Sequence, residues 1–316
     1  MDLDAYFGHS EEKFDENFQS GFVTFLGRPN AGKSTLLNAI MGKKLAITSN
    51  TSQTTRHRFR AVYTRENFQM IMVDTPGLHK PNDALGEELN TSALKALEGV
   101  DVVAVLIDAT CAVGRGDAWV VSQLNSKQLK HAKKICVLTK CDIASEEQIK
   151  QQTQAAKCLF QWDNLLCLSA KTGTGLENFI ERVKGYLPAG PAWFPKNMET
   201  DQPIEVIVAE FIREKILRSF HDEVPHAIGV SVEHMEFARK QNLNKIFARI
   251  YVERESQKGI IIGKRGAAIK KIGTEARKDL EQLLGTKVYL DLIVKVKKNW
   301  RRDAAQIRRF GYGEGA

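Results

Sequence analysis

The chain has 316 residues, of which 43% are apolar and 27% are charged, and its net charge is +8. This composition is typical of a globular protein rather than a disordered one, and the length predicts two domains. No apolar run approaches the roughly 18 residues of a membrane-spanning helix, and the acidic first twenty residues are unlike a secretory signal, so we expect a cytoplasmic protein.

Short apolar runs alternate with helical periodicity in the first half of the chain. FVTFLG, FQMIMVD, DVVAVLID, KKICVLTK and NLLCLS are predicted strands, and KSTLLNAIM, ALGEELNTSALKALEG and GLENFIERVKGYL are predicted helices. This alternation predicts an α/β domain over residues 21–186, with a mixed, mostly parallel sheet and helices on both faces. HRFRAVYT and FQMIMVD are expected to pair as an antiparallel hairpin at one edge.

A proline-rich segment separates this domain from the rest. Residues 187–203 hold four of the eight prolines and predict a stiff linker, or a strap packed through Trp193 and Phe194. A second, α+β domain is predicted over residues 204–298. Its elements are a strand IEVIVAE, a helix FIREKILRSF, strands AIGVSVEHMEF and KIFARIYVERES, a glycine loop, a helix to Leu284 and a strand KVYLDLIVKVK. Residues 1–20 are an acidic extension and residues 299–316 a basic tail.

The first glycine loop, GRPNAGKST, fits the pattern G-x-x-x-x-G-K-[ST] between a predicted strand and a predicted helix. Its glycines allow backbone N–H groups to surround a phosphate, and the helix N-terminus adds positive potential. Lys33 is expected to reach the terminal phosphates and Ser34 to bind Mg²⁺. The nucleotide-binding residues predicted here are Gly27, Arg28, Pro29, Asn30, Ala31, Gly32, Lys33, Ser34 and Thr35.

Three further motifs follow predicted strands, where ligands of open α/β sheets bind. In DTPG, Asp74 can hold Mg²⁺ through water and the Gly77 N–H can sense a γ-phosphate. In TKCD, the Asp142 carboxylate can accept from guanine N1–H and the exocyclic amine, a pair that adenine lacks. In SAK, the Ala170 N–H can donate to guanine O6. This set predicts GTP and GDP as ligands, and its members are Asp74, Thr75, Pro76, Gly77, Thr139, Lys140, Asp142, Ser169, Ala170 and Lys171.

Together the motifs between Gly27 and Lys171 resemble those of translation-factor-like GTPases, which have a Ras-like P-loop fold. The second motif of that set would lie in ITSNTSQTTRH, where Thr54 and Thr55 compete as the switch threonine. We favour Thr55, which borders Arg56, although nothing in the sequence settles the choice. The resemblance implies GTP hydrolysis with Asn30, Lys33, Thr55 and Gly77 as catalytic residues, and Mg²⁺ bound by Ser34, Thr55 and Asp74.

Two positions depart from the usual pattern. The base-reading motif begins with Thr139 instead of Asn, so a weaker tie to the phosphate loop is expected, with guanine preference kept by Asp142. Leu78 stands where Ras-like enzymes place a water-orienting Gln, so intrinsic hydrolysis should be slow. In similar GTPases an Asn at the position of Asn30 helps bind K⁺ beside the phosphates. The alternative is an Asn that shapes the loop through local hydrogen bonds.

The second glycine loop lies in the most basic part of the chain. Residues 254–309 carry 16 basic and 6 acidic side chains, a net +10, which favours a polyanion partner, although a solvated basic face is the alternative. Gly263-Lys264-Arg265-Gly266 precedes a helix with a Lys-rich face. A GxxG joining two helices is how a KH module binds single-stranded nucleic acid, and otherwise it is a plain helix–helix turn. The element order is similar to the α-β-β-α-α-β form of KH domain, type II.

Longer strings resemble the Era family, bacterial ribosome-assembly GTPases that join a Ras-like domain to a KH domain. They include QTTRHR, DTPGLHKP, EFIREKIL, VERESQKGIIIGKRGAAIKKIG and DLIVKVKKNWRRD, and the resemblance extends from Phe22 to Tyr312. It implies binding to the 3′ end of small-subunit ribosomal RNA and to the small ribosomal subunit. Trp300 is then expected either to stack on a base or to anchor the tail. The RNA-binding residues implied are Ile262, Gly263, Lys264, Arg265, Gly266, Ile269, Lys270, Lys271, Trp300, Arg301 and Arg302.

Two other functions remain in competition. A GTP-regulated protein at the inner membrane surface could use the basic tail on anionic lipid. An RNA-modifying GTPase would need a second catalytic centre, for which the sequence offers no convincing residues. The five cysteines form no CxxC pair and predict reduced, mostly buried thiols rather than disulfides or a zinc site. We expect a monomer that acts as a GTP-hydrolysing switch.

Overall fold

The N-terminal half is built on a six-stranded sheet. The computed structural model describes residues 17–49, 54–55, 59–74, 84–95, 97–220, 224–310 and 312. The strands are β1 (Gln19–Gly27), β2 (Phe59–Arg65), β3 (Phe68–Asp74), β4 (Val102–Asp108), β5 (Lys133–Thr139) and β6 (Asn164–Cys167). Their order is β2-β3-β1-β4-β5-β6, with only the β2–β3 pair antiparallel. The mixed, mostly parallel sheet and its edge hairpin are confirmed.

Five helices cover the two faces of this sheet. They are α1 (Lys33–Met41), α2 (Ala84–Lys95), α3 (Arg115–Ser122), α4 (Glu146–Leu159) and α5 (Leu176–Lys184). One apolar core joins the sheet to α1 and α5, and a second joins it to α2, α3 and α4. Helices on both faces are therefore confirmed. The sequence reading had missed α3 and α4, although Ser145 and Gln148 form a capping box at the start of α4.

Residues 187–203 pack along the sheet instead of hanging free between the domains. Ala189 bridges to Gln19, and Thr200 bridges to Ala61 of β2. The Oε1 atom of Gln69 accepts hydrogen bonds from the backbone N–H groups of Trp193 and Phe194 at 2.8 and 3.0 Å. The segment is therefore the strap of the two alternatives, fixed by backbone contacts as well as by its aromatic side chains.

A three-stranded sheet and its helices form the second domain. The elements are α6 (Ile204–Ser219), α7 (Val224–Ala227), β7 (Gly229–Ala238), β8 (Leu243–Val252), α8 (Glu255–Ile262), α9 (Ala267–Leu284), β9 (Lys287–Val296) and α10 (Ala304–Arg309). β7 pairs antiparallel and β9 parallel with the central β8. Apart from the short α7 and α10, the order is the α-β-β-α-α-β of a type II KH domain, as expected.

The predicted strand IEVIVAE is wrong. It forms the first half of α6, a single helix that begins directly after Pro203. Its β-branched residues favour a strand, but this preference is weak, and the packing of the longer helix overrides it. Val208, Ala209 and Ile212 lie in the core of the second domain.

The expectation of mostly buried thiols is also wrong. Of the five cysteines only Cys136, within β5, is buried, and Cys141 is partly exposed. Cys111, Cys158 and Cys167 are exposed because they lie after a strand, on the outer side of α4 and at the end of the edge strand β6. Among the described residues, no helix is both long and apolar enough to cross a bilayer.

Candidate functional site

A cavity of about 480 Å³ opens above the carboxyl end of β1. The loop between β1 and α1 forms one side, and the other side is formed by Ile47, Thr48, Ser49, Thr54 and Thr55. An added Cβ on Gly27 would lie 2.7 Å from the Leu106 carbonyl oxygen, so only glycine fits there. Gly32 has φ +97° and Asn30 has φ +65°, conformations that glycine and asparagine adopt most readily. The predicted residues that line this cavity are Pro29, Asn30, Gly32, Lys33, Ser34, Thr35 and Thr55, with Lys140 at its rim.

Lys33 is held in place by its own loop. Its Nζ donates to the carbonyl oxygens of Gly27 and Arg28, both at 3.1 Å. Burial lowers the pKa of Lys33 to about 8, partly offset by the charge of Asp74. Both acceptors are neutral carbonyl groups, so they do not neutralise the charge of the buried ammonium. This cation is therefore suited to bind a phosphate.

Three oxygen atoms converge at the start of α1. The Ser34 hydroxyl lies 3.1 Å from the Thr55 hydroxyl and 3.3 Å from Oδ2 of Asp74, and the Thr55 hydroxyl lies 3.4 Å from the same Oδ2. Two hydroxyls and a carboxylate are hard oxygen donors of the kind that Mg²⁺ prefers. Thr54 is directed elsewhere, because its hydroxyl faces the Ser49 carbonyl and its own carbonyl accepts from Arg213 of α6. The structure thus groups Thr55, not Thr54, with the Mg²⁺-binding candidates.

The base-reading loop is tied firmly to the phosphate loop. The Thr139 hydroxyl donates 2.8 Å to the Ala31 carbonyl and is buried. The short hydroxyl reaches its acceptor because β5 ends close to Gly32, where an added Cβ would lie only 3.9 Å from Thr139. A weaker tie than Asn would make stays a prediction. The adjacent Lys140 has φ +60° and pairs with Asp108 at 2.6 Å.

Charge and hydrogen bonds fix the remaining groups around the base loops. Burial raises the pKa of Asp108, but hydrogen bonds from Lys140 and Thr110 outweigh it and hold that pKa below its usual value. Ser169 is buried and its hydroxyl accepts from the Thr172 N–H at 3.2 Å, which shapes the loop after β6. Asp142 is exposed, so its carboxylate is accessible to a ligand.

The remaining predicted nucleotide-binding residues lie outside the cavity lining or outside the described part of the chain. Ala170 is half-buried and Lys171 exposed on the loop after β6. Arg28 is directed away from the loop interior and pairs with Asp117 of α3 at 3.2 Å. Thr75, Pro76 and Gly77, together with Leu78, lie outside the described residues.

The second glycine loop has a backbone that requires its glycines. Gly263 has φ +71°, and an added Cβ would lie 2.7 Å from the Cβ of Ala268. Arg265 and Gly266 also have positive φ, and Gly266 is the N-cap of α9. The loop therefore presents Lys264 and Arg265, both exposed, beside the N-terminus of an 18-residue helix. Lys270 and Lys271 are exposed one turn further on, while Ile262 and Ile269 pack partly on the core.

Trp300 is fully buried, which decides between its two predicted roles. Its Nε1 donates 2.9 Å to the Ala227 carbonyl, and its ring meets Phe310 edge-on at 5.0 Å. No face of the indole is left for a base, so the stacking alternative is wrong here and the anchoring alternative holds. Arg301 forms a salt bridge with Glu253 at 2.8 Å, while Arg302 is exposed.

Sequence reasoning missed a set of charged residues on α6. Glu214 is fully buried and accepts hydrogen bonds from the Thr48 N–H at 2.9 Å and from Arg218 at 3.0 Å. Lys44, in the segment after α1, pairs with Glu214 and lies 2.6 Å from Asp279 of α9. The only sequence signal was the string EFIREKIL, whose four charges within a helix pattern would ordinarily be placed on a solvated face.

Comparison with known proteins places both halves of the chain. Residues 22–140 match the family model described as 50S ribosome-binding GTPase, and residues 223–301 match the KH domain model. GTPase Era of Mycobacterium tuberculosis is 44% identical over 297 residues, which cover 93% of this chain and 99% of that protein. The chain belongs to the Era family. GTPase Era of Mycolicibacterium smegmatis is 45% identical with the same coverage.

Solved structures of Era-family members share the whole architecture. A crystal structure of Era in complex with MgGDPNP and nucleotides 1506–1542 of 16S ribosomal RNA is 36% identical, with a TM-score of 0.87 over 94% of this chain and 99% of that one. A variant of Aquifex aeolicus Era bound to GDP·AlF₄⁻ has the same identity and TM-score. As an Era-family member, the chain is a GTPase with a C-terminal KH domain.

Proposed function

We propose that this Era-family GTPase is a GTP-driven switch that binds the 3′ end of small-subunit ribosomal RNA and assists assembly of the small ribosomal subunit. The observation that carries the proposal is the second glycine loop. It joins two exposed cations to a helix N-terminus, a combination suited to the phosphates of a single strand. A relative of the same architecture is described in complex with such an RNA.

The proposed GTP site uses the groups described above. Lys33 binds the terminal phosphates, Asp142 and the Ala170 N–H read guanine, and the DTPG segment with Gly77 senses the γ-phosphate. Ser34, Thr55 and Asp74 hold Mg²⁺, which neutralises charge on the phosphates when it is bound. Hydrolysis then depends mainly on positioning and charge neutralisation, with Asn30 and Thr55 beside the phosphates.

We propose that nucleotide state reaches the RNA loop through α6. Thr48 and Thr54 of the cavity wall are held by hydrogen bonds to three residues of α6, namely Arg213, Glu214 and Arg218. Lys44 continues this contact to Asp279, on the helix that begins at the glycine loop. A second route runs from α2, whose Leu85 and Leu89 pack with Trp300 and Tyr312 of the tail. The first route joins the wall of the GTP cavity to the KH domain, and the second joins α2 to the tail.

The test is RNA binding in two nucleotide states. A short labelled RNA that copies the 3′ end of small-subunit ribosomal RNA should bind the GTP-analogue form at least about fivefold more tightly than the GDP form. The Lys264→Ala/Arg265→Ala variant should lose RNA affinity and show a smaller salt dependence, because it removes two phosphate contacts. Fluorescence anisotropy at several salt concentrations measures both. Unchanged affinity in that variant would refute the RNA site.

Two adjacent lysines give a matched control for the switch. Lys44→Met removes the contacts to Glu214 and Asp279, so the ratio between the two nucleotide states should shrink toward one. Lys43→Met removes only an exposed pair with Glu199 in the strap, and the ratio should be unchanged. If both variants keep the full ratio, the route through α6 is wrong and the RNA site still stands.

We propose K⁺ as a second cation at the phosphates, bound with the help of Asn30. Its left-handed backbone at the cavity wall supports a dedicated role, and loop shaping by Asn30 is the competing explanation. Replacing KCl by NaCl should slow single-turnover GTP hydrolysis by about tenfold or more, since a lost transition-state contact of roughly 1.4 kcal/mol has that effect. Asn30→Asp should alter the dependence on K⁺. Equal rates in both salts would leave only the loop-shaping role.

We propose a monomeric, cytoplasmic protein, with membrane contact at most peripheral. The tail was the candidate for anionic lipid, but its apolar residues Trp300, Ile307, Phe310 and Tyr312 are buried against α2 and β8. Only its exposed charges remain for a membrane surface. Binding to anionic vesicles that does not compete with the RNA would favour a separate membrane role.

A further inference from the structure

Two of the five thiols lie under the loops that are assigned to guanine. Cys141 is the third residue of TKCD, directly before Asp142, and Cys167 ends β6, three residues before Ala170. Neither residue has a part in the proposed nucleotide chemistry. The exposed cysteines Cys111 and Cys158 lie elsewhere, on the loop after β4 and on α4.

The backbone brings these two cysteines together. β5 and β6 are adjacent parallel strands, and Cys167 is the register partner of Leu138. The Cys141 N–H donates to the Leu168 carbonyl at 3.3 Å, so the TKCD turn folds back over the end of β6. The Cys141 thiol donates to the Leu138 carbonyl at 3.3 Å, and Leu138 is the register partner of Cys167, so both thiols lie at the same end of the β5–β6 pair.

The two thiols are chemically unequal. When Cys167 is ionised, Cys141 can turn its proton toward it, and this hydrogen bond, assisted by one from Thr153, lowers the pKa of Cys167 to about 7. The same interaction raises the pKa of Cys141. Cys167 is also exposed, so a thiolate that reacts and a second thiol beside it are both present. Cys136 is different, because burial raises its pKa to about 12.

We propose that Cys141 and Cys167 form a peroxide-sensitive dithiol that closes to a disulfide across the two guanine-reading loops. The Cys167 thiolate attacks one peroxide oxygen: an S–O bond forms, the O–O bond breaks, and the leaving hydroxide takes a proton to become water. The Cys141 sulfur then attacks the Cys167 sulfenic acid: the S–S bond forms, the S–O bond breaks, and the hydroxyl group leaves as water with the Cys141 proton. Two thiols lose two electrons in total, and one hydrogen peroxide is reduced to two waters.

Closure is expected to weaken nucleotide binding. A disulfide requires a sulfur–sulfur distance of about 2.05 Å, so Cys141 must leave the Leu138 carbonyl and move toward Cys167. Asp142 follows in the chain, and its two hydrogen bonds to guanine depend on its position. This consequence rests on the proposed assignment of Asp142 and Ala170 to the base. By linkage, bound GDP should shift the equilibrium between the dithiol and the disulfide toward the dithiol by the same factor by which the disulfide weakens GDP binding.

The first test maps the bond in the full chain. Cys158 and Cys167 lie between the same two lysines, Lys157 and Lys171, so the mapping uses the Cys158→Ser variant. After treatment with hydrogen peroxide, non-reducing tryptic mass spectrometry should show the peptide of Cys141 joined to that of Cys167, lighter by two hydrogens. Cys141→Ser should instead leave a Cys167 sulfenic acid that a dimedone probe traps. Absence of the linked peptide, or linkage of Cys111 at equal yield, would overturn the proposal.

The second test measures the consequence. GDP affinity of the oxidised Cys158→Ser protein should fall at least about fivefold and recover with dithiothreitol. Cys111→Ser should respond like its parent, and both Cys141→Ser and Cys167→Ser should lose the response to peroxide. A mapped disulfide with unchanged GDP affinity would overturn the regulatory part of the proposal. The mapping of the disulfide does not depend on whether the protein binds RNA. If one serine variant fails to fold, the other variant and the parent protein still test whether the peroxide response depends on this pair of cysteines.

Discussion

Asp142→Asn is expected to lower GTP affinity by about 100- to 10,000-fold. Two hydrogen bonds from guanine to a carboxylate are lost or reversed, each worth about 1.5–3 kcal/mol, and about 1.4 kcal/mol corresponds to a factor of ten. Because Asp142 is exposed, the substitution should leave the stability of the fold nearly unchanged, and the loss of affinity then reports on base recognition. Competition for a fluorescent GDP derivative, followed by isothermal titration, measures the change.

Xanthine nucleotides supply the control for Asp142→Asn. Xanthine carries a carbonyl where guanine carries the exocyclic amine, and an Asn amide can donate to that carbonyl while its oxygen accepts from N1–H. The variant should therefore bind xanthosine triphosphate more tightly than GTP, whereas the parent protein prefers GTP. Unchanged GTP affinity would show that another group reads the base. Loss of both nucleotides would point to damage in the loop.

Trp300→Ala is expected to destabilise the protein by about 3–5 kcal/mol, the usual loss when a buried Trp is truncated. The indole fills a cluster between α2 and the second domain, and its removal also leaves the Ala227 carbonyl without its donor. Urea unfolding followed by circular dichroism measures the loss. Trp119→Ala, at a side chain that is 38% exposed on α3, should cost much less.

RNA affinity separates this structural role from direct recognition. A Trp that stacked on a base would cost about 1–3 kcal/mol of RNA affinity when removed, with little change in stability. For Trp300 we expect the reverse order: a large loss of stability, and RNA affinity of the folded fraction that changes less. A variant with wild-type stability and weak RNA binding would restore the stacking role.

Local patterns were enough to predict most of the elements and the loops of the nucleotide site. The P-loop, DTPG, TKCD and SAK each follow a strand, and chemistry constrains each to a few residue types, so position and role can be read together. The strand assigned to IEVIVAE failed for the opposite reason. Its short run of β-branched residues does not distinguish a strand from the first turns of a longer helix, and tertiary packing decides between them.

Contacts between segments that are far apart in the chain could not be predicted from the sequence. The choice of Thr55 over Thr54 depends on where Asp74 and Ser34 lie, and the tie from Thr139 to Ala31 depends on how close β5 comes to the phosphate loop. Neither distance is encoded in a local window. Thr and Asn differ in reach by one or two bonds, which only a measured separation can evaluate.

The sequence by itself determined the two-domain plan, the GTPase motifs and the basic glycine loop, because each rests on residues close together in the chain. The tertiary structure alone decided how the domains communicate, what Trp300 does and which thiols meet. Packing brings together pairs of residues that are far apart in sequence: Lys44 with Asp279, Leu89 with Trp300, and Cys141 with Cys167. Their function resides in that proximity, which side-chain types and spacing along one chain do not specify.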